Sequence, residues 1–583
     1  MIRYSYDSDG RVTKNEAQET AGGIFAQKAV FTYDPNSNLL SHTDDWGTTA
    51  FTYDQRNQPT KATYPTGKAV SISYTSTGQV ASITYPNGLT VTYTYDDFNR
   101  LVIPARFRNA AGAELQGGSE RPNNITRLAL ALGGVTKSFD FAYDKAGNRV
   151  SATLPNSTST TYVYDNAQRV TNVLHKAGAA TLVQCNLAYN KVGSVTQETA
   201  SGSAHLAPAL PTADTATYDA CNQVTKRNNN TYTYDADGNL MKILDGTFAA
   251  TYTPENRPSA ISRIRDGVKE TIQYTYDAAG LRVKRVVGTT TTQFHYGPDG
   301  SLLFTTDGAG NVTASFVWNG PVLAAVLTGS SLNTDLRFPH LNRLGNVLAL
   351  TDSTGALAVK YAYQPYGFAS RAGNADSNPF TFVGGLGVQD EGGGLFYMKN
   401  RFYDATSGRF LQRDPIGFEG GINLYAYVNA NPINFSDPSG LVGGSPSNPD
   451  YFAKDREKRM ATEIVWNHVN GSGLIDAVFH WSEGKKAEAA YDVIEEMAGL
   501  PGDLYGDWKI INKNSSNPMK EPSLDLSDLL ADSVRKTQTL SDTADVRDAV
   551  NSAVARGTVP SSREEWLKER IRRQLNNEKD PSY

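Results

Sequence analysis

Two aspartates of this sequence stand in the same short motif. Asp414 lies in Arg-Asp-Pro-Ile-Gly (413–417), and Asp437 lies 23 residues further on in Asp-Pro-Ser-Gly-Leu (437–441). In each motif proline biases the aspartate to an extended backbone, and the following glycine permits close packing. Two carboxylates brought together cannot both ionise cheaply, so one is expected to keep a proton near neutral pH. The pair therefore predicts peptide hydrolysis, in which one group activates water and the other protonates the leaving amide.

The residues around the motifs refine this prediction. Arg413, directly before the first aspartate, would steady the remaining anion or a developing oxyanion. A lone Asp-Pro pair has no such implication, and Asp34-Pro35 is predicted to be a turn only. The alternative for the paired motif is also structural, namely two turns without chemistry.

Other candidate residues form less specific patterns. The seven histidines show no HExxH or other metal-binding spacing. His480 and Glu483 lie one turn apart on a predicted helix, so they are candidates for the metal site of a nuclease, although a solvated helix face has the same pattern. A glycosyl- or ADP-ribosyl-transferase stays open as well. We therefore predict no cofactor and leave the chemistry of the C-terminal region unassigned.

Several polar or glycine-rich positions are expected to be structural. The runs at 384–387 and 391–394 lack the strand–helix frame of a phosphate site and are predicted as tight turns. Asp390 and Glu391 are predicted to form a solvated turn. His340 is expected to make a structural contact.

Composition limits the class of protein. The 583 residues include 55 basic and 60 acidic side chains, and this balance argues against a nucleic-acid surface spread over the whole molecule. The sequence contains no run of 18 apolar residues, so no transmembrane helix is predicted. The start, MIRYSYDSDGRVTKN, has no apolar signal-peptide region and begins in the middle of a repeat. Cys185 and Cys221 are either free thiols or one bridge, and two cysteines exclude a disulfide scaffold.

A repeated phrase organises the first 300 residues. It consists of alternating apolar or threonine residues, then Tyr-Asp, a turn with glycine or asparagine, and a polar–apolar pair. Eight clear copies are YSYDSDGRV (4–12), FTYDPNSNL (31–39), FTYDQRNQP (51–59), YTYDDFNRL (93–101), FAYDKAGNRV (141–150), YVYDNAQRV (162–170), YTYDADGNL (232–240) and YTYDAAGLRV (274–283). Tyr33, Tyr53, Tyr74 and Tyr95 are 20, 21 and 21 residues apart, and this period predicts a repeat array.

Each copy of the phrase predicts a β-hairpin. Tyr232 and Tyr234 share one face of a strand, and the threonine between them points to the other. Asp235 is expected to end the strand by accepting backbone N–H groups, and Gly238 to supply the positive φ of the turn. Stacked hairpins then extend one sheet, whereas ordinary sandwich hairpins, the alternative, need no regular period. Segment 101–137 is expected to interrupt the rhythm as a long insert.

Composition changes after Leu441. Residues 442–450 are rich in glycine, serine and proline, as is typical of a linker. From residue 451 the Tyr-Asp phrase is gone and helical patterns follow. Residues 442–583 contain 19 basic and 24 acidic side chains, so the whole net charge of −5 lies in this segment.

The repeated phrase, YxYDxxGN, resembles the YD repeat of RHS proteins, which include polymorphic toxins and the C component of insecticidal Tc complexes. The block GLFYMKNRFYDATSGRFLQRDPIGFEGGINLYAYVNANPINFSDPSGL (394–441) is similar to the RHS repeat-associated core domain. The resemblance extends over roughly residues 1–441, about three quarters of the chain.

The resemblance implies a mainly β fold. A strip of YD repeats, residues 1–337, would spiral into a hollow shell, and the core domain, residues 338–441, would form its plug. The linker 442–450 would lead to a mostly α-helical, variable toxin domain at 451–583.

The resemblance also implies a site. The core block of such proteins acts as an aspartyl autoprotease that cuts after the second aspartate motif. The matching residues here are Arg413, Asp414 and Asp437, and the scissile bond would join Leu441 to Val442.

The function implied is that of a toxin carrier that encapsulates and releases its own C-terminal effector in bacterial competition or against host cells. Expected partners are the caged fragment, a cognate immunity protein, and a secretion apparatus such as type VI or a Tc-type B component. Such a protein would be exported without its own signal peptide and delivered into a target cell. The alternative is a non-catalytic YD-repeat surface protein that binds glycans or a partner protein.

Overall fold

The computed structural model describes residues 2–17, 26–96, 124–208, 214–265, 267–373 and 378–444. This part of the chain is mainly β, as predicted, and consists of three antiparallel sheets in which strands follow one another in chain order. The predicted helical region from residue 451, including His480 and Glu483, lies outside the described residues. Within the described part, no helix is long and apolar enough to cross a membrane.

The first sheet has 16 strands. These are β1 (Ile2–Tyr6), β2 (Val12–Ala17), β3 (Ala26–Tyr33), β4 (Leu39–Asp44), β5 (Gly47–Tyr53), β6 (Pro59–Thr63), β7 (Ala69–Tyr74), β8 (Val80–Thr84), β9 (Thr90–Tyr95), β10 (Ile125–Leu132), β11 (Val135–Tyr143), β12 (Arg149–Thr153), β13 (Thr158–Tyr164), β14 (Val170–Ala177), β15 (Ala180–Tyr189) and β16 (Val195–Ser201). Because β10 pairs directly with β9, the expected interruption at 101–137 does not extend through residues 125–137.

The second sheet also has 16 strands. These are β17 (Ala216–Tyr218), β18 (Val224–Arg227), β19 (Asn230–Tyr234), β20 (Leu240–Ile243), β21 (Phe248–Tyr252), β22 (Pro258–Arg265), β23 (Val268–Tyr276), β24 (Arg282–Val287), β25 (Thr290–Tyr296), β26 (Leu302–Asp307), β27 (Val312–Asn319), β28 (Val322–Leu327), β29 (Leu336–Leu341), β30 (Val347–Thr351), β31 (Leu357–Tyr363) and β32 (Ala369–Gly373). The boundary expected at residue 338 falls inside β29, so this sheet continues well into the expected core domain, residues 338–441, which we call the core block.

The third sheet is short and belongs wholly to the core block. Its four strands are β33 (Gln389–Gly392), β34 (Leu395–Met398), β35 (Arg401–Asp404) and β36 (Arg409–Phe410). Single 3-10 turns occupy Gly384–Leu386, Gly417–Gly420 and Val428–Ala430. The tight turn predicted at 384–387 is confirmed, whereas the one predicted at 391–394 is confined to Gly393 and Gly394, because Glu391 and Gly392 belong to β33.

The Tyr-Asp phrase folds as the sequence predicts, because its turn is closed by local hydrogen bonds. Asp34 Oδ1 accepts the backbone N–H groups of Asn36 and Asn38 at 2.9 Å each. In a later copy, Asp235 Oδ1 accepts the backbone N–H of Asn239 at 2.8 Å, and Gly238 takes a φ of 85°. The carboxylate thus accepts the backbone N–H groups of the turn, which do not take part in strand pairing, and glycine provides the left-handed conformation.

The repeat tyrosines connect successive hairpins. The hydroxyl of Tyr53 donates to the Leu39 carbonyl at 2.9 Å, and that of Tyr74 donates to the Pro59 carbonyl at 2.8 Å. The same bond to the preceding return strand recurs at Tyr33, Tyr95, Tyr143, Tyr164, Tyr189, Tyr252, Tyr276, Tyr296 and Tyr363. Tyrosine therefore combines an apolar ring with a polar tip that reaches the neighbouring repeat.

Truncating one repeat tyrosine should destabilise the fold. The Tyr234 ring packs edge-on against Tyr425 of the core block at 6.0 Å, and its hydroxyl accepts the Val224 N–H. We expect Tyr234→Ala to lower the free energy of unfolding by about 2–3 kcal/mol, since the ring is half-buried. Lys191→Ala is the control, because Lys191 is exposed. Equal melting temperatures for both variants in thermal denaturation would contradict this role of the repeat tyrosines.

The first and second sheets pack through a common apolar core, which includes residues from Ala62 to Leu154 and from Phe294 to Phe338. Tyrosine hydroxyls bridge the two sheets: Tyr64 donates to the Tyr296 carbonyl at 2.7 Å, and Tyr85 to the Phe316 carbonyl at 2.7 Å.

His340 makes the structural contact that was expected. It is fully buried against His175 of the first sheet, and the two ring centroids are 5.1 Å apart. Burial lowers the pKa of both imidazoles, that of His175 to about 4, so the pair packs in its neutral form.

Glu391 corrects one prediction. It was expected with Asp390 on a solvated turn, yet both residues lie in β33, and Glu391 is only 3% exposed. Its carboxylate is ion-paired with Arg282 of β24 and with Arg285, whose Nε lies 2.8 Å from Oε2. The Tyr274 hydroxyl donates to the same oxygen at 3.1 Å. A buried ion pair thus joins the third sheet to the second, a role that its polar, glycine-rich surroundings did not indicate.

The two cysteines are separate free thiols. Cys185 is buried in β15 and Cys221 is exposed in the turn after β17. Of the two possibilities left open by the sequence, the structure therefore supports free thiols.

Candidate active site

Asp414 is held in a turn of its own motif. Its backbone N–H donates to the Leu424 carbonyl at 2.9 Å, and its Oδ1 accepts the Ile416 N–H at 3.1 Å. Because proline follows the aspartate, the chain turns at once, and the carboxyl group points into the core block, where the residue is 7% exposed.

Asp437 is held by the backbone that follows it. Its Oδ1 accepts N–H groups of Ser439 at 3.2 Å, Gly440 at 2.8 Å and Leu441 at 3.1 Å. The Ser439 hydroxyl donates to the same oxygen at 3.0 Å. A carboxylate with this many donors suits the anionic form, and here it also shapes the segment that contains the expected scissile bond.

Arg401 connects the two aspartates. It lies in β35, and its Nη2 is 2.7 Å from Asp414 Oδ2 and 3.8 Å from Asp437 Oδ2. Its Nε donates to the Gly440 carbonyl at 2.5 Å. The guanidinium stacks on the Phe410 ring at 3.6 Å and is almost wholly buried. One side chain thus binds both carboxylates and the peptide just before Leu441.

The Leu441 carbonyl and the Asp414 carboxyl both lie next to Gly420. A Cβ atom on Gly420 would overlap Asp414 Oδ2 and would lie 3.1 Å from the Leu441 carbonyl oxygen. Because Gly420 has no side chain, it leaves room for both groups at this position. Gly440 is constrained similarly, since its φ is 70° and a Cβ there would lie 2.6 Å from the Met398 carbonyl oxygen.

The two carboxyl groups have different environments. The pKa of the Asp414 carboxyl is raised to about 7, chiefly by burial and in smaller part by the neighbouring Asp437, although the Arg401 guanidinium and the Ile416 N–H act in the opposite direction. Asp414 is thus partly protonated near neutral pH, as expected for one member of such a pair. Its Oδ2 and the Leu441 carbonyl oxygen both lie next to Gly420.

Arg413 lies elsewhere in the core block. Its Nε is 3.3 Å from the Tyr425 hydroxyl, which donates to the Gly238 carbonyl in the turn after β19. Arg401 therefore occupies the position that the sequence analysis expected for Arg413, while Arg413 contributes to the contact between the core block and the repeats.

A sequence signal for Arg401 existed but was missed. Arg401-Phe402-Tyr403-Asp404 is itself a copy of the repeated phrase, in which arginine replaces the first aromatic residue of, for example, Tyr232-Thr233-Tyr234-Asp235. That position shares a strand face with the inward tyrosine, so an arginine there had to be buried near a negative partner.

No metal site accompanies these residues. Among the residues that the structure describes, no group of three or more histidine, cysteine, aspartate or glutamate side chains could hold a metal ion. The site as described consists of two carboxyl groups, one guanidinium and backbone groups.

Long meander sheets of Tyr-Asp hairpins, joined to a compact block with paired Asp-Pro turns, define a YD-repeat protein. The chain belongs to the Teneurin YD-shell family, whose model matches residues 1–199 and, in an overlapping match, 123–300. The resemblance to RHS proteins is thereby confirmed.

Several similar proteins are named as toxins or nucleases. A tRNA nuclease WapA of Bacillus subtilis (strain 168) is 27% identical over 70% of this chain, which spans 16% of that protein. A double-stranded DNA deaminase toxin A of Burkholderia cenocepacia (strain H111) is 23% identical over 83% of this chain and 36% of its own length. The chain thus spans about a sixth to a third of these relatives.

Among solved structures, a crystal structure of TcdB2-TccC3-TEV aligns with 76% of this chain and 26% of its own chain. The TM-score is 0.56 at 17% sequence identity. This likeness shows a shared fold.

Proposed function

We propose that this chain is the carrier portion of an RHS-type toxin and that it cuts itself between Leu441 and Val442. The observation that carries the proposal is the placement of the Asp414 carboxyl and the Leu441 carbonyl next to the same residue, Gly420, while Arg401 binds both aspartates and the preceding peptide. Buried pairs of carboxyl groups in which one is protonated and the other ionised are typical of acid–base sites, and structural turns rarely need them.

The reaction is a hydrolysis. Asp414 in its acid form donates to the Leu441 carbonyl oxygen, and the Asp437 carboxylate accepts a proton from the water that attacks the carbonyl carbon. The C–N bond then breaks, and the proton returns to the leaving nitrogen. The products are a carboxylate on Leu441 and an ammonium group on Val442. Arg401 is the positioning residue, since it fixes both acids and the Gly440 carbonyl in one geometry.

The fragment that begins at Val442 is the effector in this proposal. The relatives named as a tRNA nuclease, a DNA deaminase toxin and the toxin protein Tse5 of Pseudomonas aeruginosa support a toxin role, without indicating which activity residues 442–583 carry. We propose that a cognate immunity protein and a delivery apparatus, of type VI or Tc type, act with the carrier, and that the protein is exported to a target cell.

The carrier role is tested by expressing residues 442–583 alone in bacteria, with and without the adjacent open reading frame. We expect growth arrest that the adjacent product relieves, because a released effector would be active and its producer must be protected. Residues 1–441 expressed alone are the control and should be harmless. Accumulation of 442–583 without any effect on growth would contradict the toxin role, whereas the cut itself is tested separately by intact mass.

A further inference from the structure

The expected scissile bond lies inside a closed loop. Ser436 and Gly444 form an antiparallel bridge, in which the Ser436 N–H donates to the Gly444 carbonyl at 3.0 Å and the Gly444 N–H donates to the Ser436 carbonyl at 2.8 Å. The Leu441–Val442 bond is thus flanked on both sides by backbone that is tied to the core block. Asp437 binds the segment before the bond, and Ser436 binds the segment after it.

The segment after the bond also packs closely against the core block. A Cβ atom on Gly443 would lie 2.7 Å from Val428 Cγ1 and 2.9 Å from Val428 Cβ. Val428 is 6% exposed and belongs to the apolar cluster of the core block with Phe410 and Tyr427. Only glycine can lie this close to Val428 without displacing it, so position 443 has room for backbone atoms but not for a side chain.

We propose that, after the cut, the core block keeps the new N-terminus Val442-Gly443-Gly444 bound in this groove, so that cleavage and release are separate steps. The inference rests on the proposed self-cleavage. The ligand class is a free peptide N-terminus followed by two glycines, recognised by the Ser436 backbone and the Val428 side chain.

The charges produced by hydrolysis favour retention. Water addition and C–N cleavage leave a carboxylate on Leu441 and an ammonium group on Val442, so opposite charges arise next to each other at two half-buried residues. None of the contacts of Ser436, Val428 or Asp437 described above involves the bond that breaks. Release of the fragment therefore requires a second event that opens the Ser436–Gly444 bridge.

Hydrogen exchange of the full chain tests this step. Among the described residues, the Ser436 N–H donates to the Gly444 carbonyl, which belongs to the segment that the cut would free. After complete cleavage, we expect Ser436 to exchange as slowly as in uncut Asp414→Asn protein. In Gly443→Ala, the added methyl group should force the segment away from Val428, and Ser436 should exchange about tenfold faster.

A compensating variant keeps the test specific. Val428 has a φ of 43°, which glycine tolerates, so Val428→Gly removes the clashing atoms without new backbone strain. Gly443→Ala combined with Val428→Gly should recover slow Ser436 exchange, and Val428→Gly alone should retain it.

The outcomes separate this inference from the proposed function. A single uncut species by intact mass would overturn self-cleavage and, with it, retention. Two species with rapid Ser436 exchange would overturn retention alone. Unchanged Ser436 protection in cut Gly443→Ala protein would likewise exclude this groove as the site that holds the new N-terminus.

Discussion

Asp414→Asn should leave the purified chain as a single 583-residue species, whereas the unaltered protein should yield two polypeptides, 1–441 and 442–583, under denaturing conditions. Asparagine cannot donate the carboxylic proton to the Leu441 carbonyl, so the rate of the cut should fall by about 10²–10⁴-fold. Intact-mass spectrometry after timed incubation measures it. Asp437→Asn should have the same effect, because that carboxylate also positions the scissile segment.

A matched control for this prediction lies in the repeats. Asp34 also precedes a proline and closes a turn with its carboxylate, yet it belongs to β3–β4 and not to the core block. Asp34→Asn should therefore leave the cut unchanged. Cleavage that survives in both Asp414→Asn and Asp437→Asn would point to a foreign protease acting on 442–450 and would contradict self-cleavage.

The same reaction should depend on pH in a defined direction. Asp414 acts in its protonated form, and burial raises its pKa to about 7. The rate should therefore decrease as the pH rises through about 7, because the acid form is lost. It should also be independent of protein concentration, since both groups belong to one chain.

Glu391→Gln should destabilise the fold more than any surface change. The substitution keeps the shape of the side chain but removes the negative charge that Arg282 and Arg285 face in a buried site. An uncompensated buried arginine typically costs about 3–5 kcal/mol of unfolding free energy. Chemical denaturation of the full chain, followed by the fluorescence of its tryptophans, measures the loss.

An exposed ion pair of the same kind provides the comparison. Arg127 and Asp140 are paired at 2.6 Å, but their side chains are 54% and 52% exposed. Asp140→Asn should change stability by about 0–1 kcal/mol, since water solvates both partners. Equal effects of Glu391→Gln and Asp140→Asn would show that burial of the Glu391 pair contributes little to the junction of the second and third sheets.

The sequence by itself determined the hairpins and the two Asp-Pro turns of the core block. A Tyr-Asp turn closes through bonds between Asp235 and Asn239, four residues apart, so its conformation depends on residues that are all visible in one phrase. The same holds for the Asp-Pro turns of Asp414 and Asp437, whose geometry proline and glycine largely set.

Only the tertiary structure decided which arginine is ion-paired with Asp414 and Asp437 and which polar residues are buried. Arg401 instead of Arg413 faces both carboxylates, and Glu391 pairs with Arg282 across 109 residues of chain. Such pairs depend on which strands stack on each other, and a repeat of period 20 or 21 offers many nearly equivalent stackings. The physical reason is that backbone pattern specifies a strand and its faces, whereas the partner of a buried charge is chosen by packing between distant strands.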